Sequence, residues 1–477
     1  MKRLLRPGLL ALLFLIFLLW VAFRPHELIH DFWQVRRAGQ STSSENLLLS
    51  AQALARLAGR LPWRTDLWEQ AGSYALQGGD PASAIRYLLK AETVHNLSVA
   101  GWVALGDAYQ QVGDQSAALQ AWEKAVRSGQ AALPVYEHLY QAHLEAGDYT
   151  DAARALQELA NQQPLDARLR YQLGLLLAAL EPESALVHLT QAADLDPDLR
   201  DDSQTVVNAI RTGLLGDDPA YALLSAGRAL AAINEWQLAS LAFQQALSAR
   251  PDYAEAWAFL GEASQHLAGS EPELNPLDLL GKALALDPNS LSANSLLGLY
   301  WRRQGDHELA LKYYQKAAEM NPNNPILQVD LANALAYTGA YETAQATFQH
   351  AIELSPQDPA YYRHLAAFSL SYEYQVRQIG LPAARQALLL DPDDPASLVT
   401  MGQVLLLLGD LATAERYLND AVHIDPGYAP AHLQLGLIYI LQDDRQAALS
   451  KWELVENLAP GTPAADQAQR LLQNYFP

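Results

Sequence analysis

The sequence predicts an all-α protein of about eleven consecutive helix-turn-helix units, and two recurring features carry this prediction. One position, Gly or Ala in all but one unit and preceded by an apolar residue, returns along the chain at intervals of 34, 34, 34, 53, 34, 37, 34, 34, 36 and 34 residues. A proline closes most units, where it ends a second helix. Self-similarity at such a period is typical of repeat architectures. The recurring positions are Gly72, Gly106, Tyr140, Gly174, Gly227, Gly261, Gly298, Ala332, Ala366, Gly402 and Gly436.

Each unit contains the signals for two antiparallel helices. Apolar residues spaced three, four and seven apart predict one buried face on each helix. Midway through five units stands a Gly-Asp pair, in which Gly ends the first helix in a left-handed conformation and Asp favours the turn into the second. These glycines are Gly79, Gly113, Gly147, Gly305 and Gly409. In the second helix a small residue is followed by a large one, such as Ala118 and Trp122 or Ala310 and Tyr314.

These columns resemble the tetratricopeptide repeat. Trp102, Leu105, Gly106 and Tyr109, followed by Ala118, Trp122 and Ala125, match nearly the whole pattern of that repeat, and so does the series Ala310, Tyr314, Ala317 and Pro322. The resemblance covers the chain from Leu61 to Pro460. It implies a right-handed α-solenoid with a concave groove lined by the first helix of each unit, and protein–protein binding as its function.

The repeats divide the chain into segments. Residues 44–197 contain a capping helix, at 44–60, and units 1 to 4, while residues 198–218 form an inserted spacer with one extra helix. Units 5 to 11 occupy residues 219–460, and residues 461–477 form a C-terminal capping helix. The unit between Tyr361 and Pro392 has lost its second-helix pattern.

The amino terminus predicts a membrane anchor. Residues 1–8 are basic, residues 9–23 are an apolar run that forms the core of a signal-anchor helix, and residues 24–43 are a juxtamembrane segment. The basic residues before the run place the amino terminus in the cytoplasm and the repeats outside a single-pass cytoplasmic membrane protein. The alternative is a cleaved signal peptide, which would leave a secreted repeat protein.

Composition and motifs limit the kinds of ligand and reaction that we expect for this protein. The chain has no Cys, and its net charge of −21 argues against nucleic-acid binding. His26, Glu27 and His30 form an H-E-x-x-H pattern, which suggests a membrane zinc metalloprotease as an alternative. That pattern lacks the surrounding protease domain, so we interpret it as a coincidence. We expect no enzyme activity, metal, cofactor or small-molecule substrate.

The remaining candidate site is the groove. Aligning the first helices places acidic residues in the early units, arginines in the middle units and an apolar strip in the last two full units. The early residues are Asp66, Glu69, Asp107, Glu137 and Glu145, and the arginines include Arg228 and Arg363. The candidate partner-binding residues are Arg302, Arg303, Val399, Gln403, Leu406, Leu407, Leu433, Leu437 and Ile440.

An apolar strip of this kind could receive a helix or an extended peptide of a partner protein. The alternative is that its residues pack against neighbouring helices or the terminal helix. The sequence therefore predicts a membrane-tethered scaffold for other proteins, in an envelope assembly or export complex.

Overall fold

The computed structural model describes residues 25–38, 43–129, 133–267 and 274–476, and these residues form 26 α-helices and no strand. The all-α prediction is confirmed for this part of the chain. The molecule divides into two compact units, Met1–Gln245 and Ala246–Pro477.

The helices that begin in the first unit are mostly paired. They are α1 (Pro25–Ala38), α2 (Ser44–Arg60), α3 (Asp66–Gln77), α4 (Pro81–Val94), α5 (Val99–Val112), α6 (Gln115–Ser128), α7 (Leu133–Ala146), α8 (Tyr149–Gln162), α9 (Ala167–Leu180), α10 (Pro182–Leu195), α11 (Arg200–Leu214), α12 (Pro219–Ala232) and α13 (Trp236–Ala249). Helix α11 lies in the stretch for which the sequence predicts an extra helix, between the pair α9–α10 and the pair α12–α13.

The second unit continues the pairing with thirteen helices. They are α14 (Ala254–His266), α15 (Pro276–Leu286), α16 (Leu291–Arg303), α17 (His307–Met320), α18 (Pro325–Tyr337), α19 (Tyr341–Leu354), α20 (Pro359–Ser371), α21 (Leu381–Leu390), α22 (Pro395–Leu407), α23 (Leu411–Ile424), α24 (Ala429–Leu441), α25 (Arg445–Leu458) and α26 (Pro463–Tyr475). From α14 to α24, the even-numbered helices are the first helices of their pairs.

The turns at the five Gly-Asp pairs contain a left-handed glycine, as the pattern predicts. Gly113 and Gly305 end α5 and α16 with φ angles of 85° and 79°, a region that favours glycine. The following aspartates cap the second helices. Asp114 accepts a hydrogen bond from the N–H of Ala117, and Asp306 accepts one from Leu309, both at 3.0 Å.

Small residues in the first helices allow a large side chain of the second helix to pack against the backbone. A methyl group on Gly298 would come within 2.8 Å of the ring of Tyr314, and one on Gly402 within 2.7 Å of Leu418. Tyr314 is 3% exposed and Leu418 is fully buried. The recurring glycine and the large residue sixteen positions later are therefore two halves of one contact.

A second recurring contact joins adjacent pairs in the second unit. A polar side chain in the first turn of a first helix donates to the carbonyl of the proline six residues earlier. Gln328 Nε2 donates to Pro322 at 2.9 Å, and Trp257 Nε1 donates to Pro251 at 2.8 Å. His432 Nε2 lies 2.9 Å from the carbonyl of Pro426. These contacts explain why Gln328 and His432 are polar although only 6% and 2% exposed.

The pair α20–α21 departs from the others, as the loss of pattern between Tyr361 and Pro392 suggests. Two extra residues separate its recurring position from the next, and a turn absorbs them. Glu373 and Gln375 both have a φ angle of 47°, and residues Val376–Gly380 form one π-helical turn before α21 begins. Ser369 Oγ closes the turn by donating to the carbonyl of Tyr374 at 2.6 Å.

The predicted juxtamembrane segment 24–43 contains a helix that the sequence analysis missed. Helix α1 packs on α2, which occupies the predicted capping helix 44–60. Arg56 donates to Asp31 from Nε at 3.0 Å and from Nη2 at 2.6 Å, and Asp31 is 3% exposed. Helices α1 and α2 therefore form a pair, although the sequence predicts only the second of them.

The predicted single-pass membrane location is corrected. No helix among the described residues is both long and apolar enough to cross a bilayer. This finding contradicts the anchored topology, so we do not retain it. The apolar run 9–23, on which that prediction was based, lies outside the described residues.

Candidate functional site

The candidate site is the face that consecutive first helices of the second unit present, from α14 to α24. We call it the first-helix face. Side chains on these helices meet across the gap between one pair and the next. The face carries charged groups from α14 to the start of α22 and apolar groups from there to α24.

Its first charged cluster joins α14 to α16. Arg303 Nη1 lies 2.9 Å from Oε1 of Glu262 and 3.0 Å from its Oε2, and it also donates to Gln265 Oε1 at 3.2 Å. His266 Nε2 lies 3.2 Å from the same carboxylate. The Glu262 side chain is only 10% exposed, so its charge is compensated within the protein.

The second cluster surrounds Asp330 on α18. Burial raises the pKa of Asp330 to about 6, while the positive charge of Arg302 on α16 acts in the opposite direction. Tyr314, from α17, is 3% exposed, and burial together with the charge of Asp330 raises the pKa of its hydroxyl. Asp330 accepts no hydrogen bond from the described residues and keeps part of its surface exposed.

The third cluster joins α20 to α22. Arg363 forms an ion pair with Asp394, which also accepts from Ser397 Oγ at 2.6 Å and from the N–H of Ala396 at 3.1 Å. Burial acts to raise the pKa of Asp394, but these hydrogen bonds and the charge of Arg363 outweigh it, so the pKa lies below its usual value. Asp394 is thus both the cap of α22 and the partner of an arginine.

The apolar part of the face divides into buried and accessible residues. Val399, one of the predicted contact residues, is 5% exposed and belongs to a hydrophobic core cluster. Gln403 and Leu406 on the same helix are partly exposed, and Leu407 is 45% exposed. Helix α22 therefore offers three of its four predicted residues to a partner.

The predicted residues on α24 pack against a cluster to which the terminal helix contributes. Leu433 is 3% exposed and lies in a cluster with Ala468 of α26, and Leu437 and Ile440 pack against that same cluster. The burial of Leu433 fits the alternative in which residues of the apolar strip pack against the terminal helix. Leu437 and Ile440 stay partly exposed, as Leu406 does, whereas Leu407 on α22 is the most exposed leucine of the predicted strip.

The acidic residues predicted for the early groove are mostly engaged in local contacts. Asp107 accepts from Trp122 Nε1 at 3.0 Å and lies 3.3 Å from Nδ1 of His138. This contact with the Asp107 carboxylate raises the pKa of His138. Glu145 accepts from Gln115 at 3.0 Å, and Glu69 accepts from the hydroxyl of Ser98. Asp66 pairs with Arg64, whereas Glu137 is exposed. Asp107, Glu145, Glu69 and Asp66 therefore already have partners within the protein.

Family models identify the repeats. Two models, both described as tetratricopeptide repeat, match this chain, one at residues 302–367 and the other at residues 139–198, 277–325 and 377–429. The chain contains tetratricopeptide repeats. The expectation drawn from the repeat columns is confirmed in these stretches, which include α16, α18, α22 and most of α20 of the first-helix face. No curated protein matches the chain.

Solved structures that resemble this one are distant in sequence. Yeast Tom70 is 16% identical, with 94% of this chain and 95% of that chain covered and a TM-score of 0.43. Pseudomonas aeruginosa pilF is 21% identical over 47% of this chain and 99% of its own, with a TM-score of 0.34. YrrB, described as a TPR protein with an unusual peptide-binding site, is 20% identical over 40% and 97%, with a TM-score of 0.27.

The H-E-x-x-H residues lie at the start of α1, ahead of the matched repeats. Glu27 forms an ion pair with Arg60 of α2, so the motif's carboxylate helps to hold the first helix pair together. His30 is exposed, and the side chain of His26 lies outside the described residues. The described part of the chain contains no group of three potential metal ligands.

Sequence reasoning placed Arg302 and Arg303 in the tetratricopeptide groove but missed the carboxylates Glu262 and Asp330. The signal for Asp330 was available, because it is the one charged residue in the otherwise largely apolar helix α18. A lone carboxylate among buried residues is costly and points to a specific role. The partner of Arg303 could not be found, because Glu262 lies on a different repeat.

Proposed function

We propose that this protein is a scaffold that binds another protein by taking up one of its segments along the first-helix face, between α14 and α22. The observation that carries the proposal is the row of polar and apolar side chains that successive first helices expose there. Arg302, Arg303, Gln403, Leu406 and Leu407 are the proposed contacts. Val399, Leu433, Leu437 and Ile440 would support the face from below.

The physical support comes from how the repeats are built. Their large apolar side chains are used in packing one helix on another, so a face that still exposes Leu407 and partly exposes Leu406 has an apolar area to bury against a partner. Beside it, the partly exposed Gln403 offers hydrogen bonds to the backbone of a bound segment. An extended peptide or one face of a helix meets both requirements.

A peptide-display selection tests this proposal. The purified chain is presented to a library of random twelve-residue peptides at pH 7.5, and enriched peptides are synthesised for fluorescence anisotropy. We expect Leu407→Asp to weaken their binding about tenfold or more, because it places a charge in the apolar contact. The matched control is Leu389→Asp on the second helix α21, whose leucine is 74% exposed.

The possible outcomes of this selection distinguish a wrong binding site from a wrong function. Equal binding by the Leu407→Asp and Leu389→Asp variants, with unchanged circular dichroism, would move the binding site away from the first-helix face. Failure of the wild type to enrich any peptide would reject the scaffold function itself. The kind of assembly, for which the sequence suggests an envelope assembly or export complex, stays a prediction that identification of the natural partner will test.

A further inference from the structure

Asp330 differs from the other carboxylates of the first-helix face. Glu262 and Asp394 each pair with an arginine of a neighbouring first helix and accept additional hydrogen bonds. Asp330 is partly buried in the same face, yet no hydrogen bond or ion pair reaches it from any described residue. Its carboxylate is nevertheless reachable, because the residue is only partly buried.

The surroundings of Asp330 leave room for an incoming group. Arg302 acts on Asp330 through its charge but forms no ion pair with it in the described part of the chain. Helices α14 and α16 lie close together, as do α20 and α22, whereas α16 and α18 do not approach each other as closely. Asp330 and Arg302 therefore lie on either side of the wider gap, and the Tyr314 ring lies beneath it.

An unpaired carboxylate in such a place destabilises the folded protein. Taking a charge out of water costs free energy that a paired partner would offset. The raised pKa of Asp330 expresses this cost, since burial disfavours the charged form. A positive group brought by a ligand would restore the missing pair. The net charge of −21 also favours a positively charged partner over a negative one.

We propose that Asp330 receives a lysine or arginine side chain of the protein segment that binds along the first-helix face. This inference rests on the proposed scaffold function and adds the chemistry of the partner. The cation enters between α16 and α18, pairs with the carboxylate, and lies on the ring side of Tyr314. Arg302 stays on α16, where it sets the orientation of the bound segment by repelling a second positive group.

The test compares peptides selected by three forms of the full chain from the same random library in 0.15 M salt. These forms are the wild type, Asp330→Asn, and the matched control Glu353→Gln, which removes a charge from a side chain that is 76% exposed on the second helix α19. Asp330→Asn keeps the shape of the side chain. It removes an unpaired charge, so the variant is expected to fold at least as well as the wild type.

We expect the wild type and Glu353→Gln to enrich peptides that share a lysine or arginine at one position. Peptides enriched by Asp330→Asn should show no such shared basic residue. Replacing that basic residue by norleucine in a selected peptide should weaken its binding to the wild type about tenfold or more. The same replacement should weaken its binding to Asp330→Asn only slightly. Peptides with no shared basic position, or the same basic preference in Asp330→Asn, would overturn the inference while leaving the scaffold function intact. Enrichment of nothing by the wild type would instead reject the scaffold function.

Discussion

Arg303 on α16 reaches across to Glu262 on α14, with its Nη1 atom 2.9 Å from Oε1 and 3.0 Å from Oε2. The two residues are 41 positions apart and belong to adjacent repeats. Because the carboxylate is only 10% exposed, it depends on this partner for compensation of its charge. The contact therefore links two repeats through the same face that is proposed to bind a partner.

The first prediction concerns this ion pair. Arg303→Met keeps an unbranched apolar side chain but removes the guanidinium group, so among the described residues Glu262 keeps only Gln265 and His266 as partners. We expect the free energy of unfolding to fall by about 1–2 kcal/mol, less than for a fully buried pair because Arg303 is partly exposed. Urea denaturation followed by circular dichroism measures the change. The exposed Lys316→Met on α17 is the control, and an equal loss there would show that the pair contributes nothing of its own.

The second prediction concerns the close approach at Gly298. Gly298→Ala would place a methyl group 2.8 Å from the ring of the buried Tyr314, so the ring or the helix must move. We expect a destabilisation of about 1–3 kcal/mol. Gly281→Ala in α15 is the control at an open position, because its methyl group would meet nothing within 4 Å. This variant should stabilise the protein by up to about 1 kcal/mol, since Ala favours a helix more than Gly does. Urea denaturation that gives the same sign for both variants would contradict this account.

The third prediction concerns the contact between Gln328 and the carbonyl of Pro322. Gln328→Leu fills the same space but removes the donor of the 2.9 Å hydrogen bond and leaves the proline carbonyl without it. We expect a loss of about 1–2 kcal/mol in the free energy of unfolding. Gln315→Leu, on the exposed side of α17, should change it by less than about 0.5 kcal/mol. A neutral Gln328→Leu variant would mean that water satisfies the carbonyl.

The turns, helix caps and close helix contacts inside one repeat were predictable, because residues that are near each other in sequence determine them. The left-handed Gly113, the capping Asp114 and the large Trp122 all follow from the signals of one repeat. Helix α1 was missed because its pairing depends on contacts of Asp31 and Glu27 with Arg56 and Arg60, which are 25 and 33 residues away. No periodicity within residues 24–43 reveals those partners.

The candidate site was predicted only in part for the same reason. Aligning first helices found Arg302, Arg303 and the accessible Leu407, since position within a repeat decides which residues face the groove. It could not find that α26 covers Leu433, because a terminal helix packs where the next repeat would have been. Whether a charged residue is paired also depends on the spacing between repeats, which the sequence of one repeat does not contain.

The last prediction concerns the pH dependence of stability around Asp330. Burial raises the pKa of Asp330, and the charge of Arg302, on α16, acts in the opposite direction. The pKa of Asp330 is about 6 in the folded protein and near 4 in an unfolded chain, so the folded state binds more protons between these values. The contribution of Asp330 to stability therefore decreases as the pH rises from about 4 to about 6, and above that the charged form remains a net cost.

Replacing the carboxyl by an amide removes this cost. Asp330→Asn should therefore be more stable than the wild type at pH 8 and about equally stable at pH 4, with the difference appearing as the pH rises between these values. Urea denaturation across this pH range measures the difference, with Glu353→Gln as the control for loss of an exposed charge. A stability difference independent of pH would show that the Asp330 carboxylate is not desolvated. A variant less stable at pH 8 would show that its charge already has a partner in the free protein.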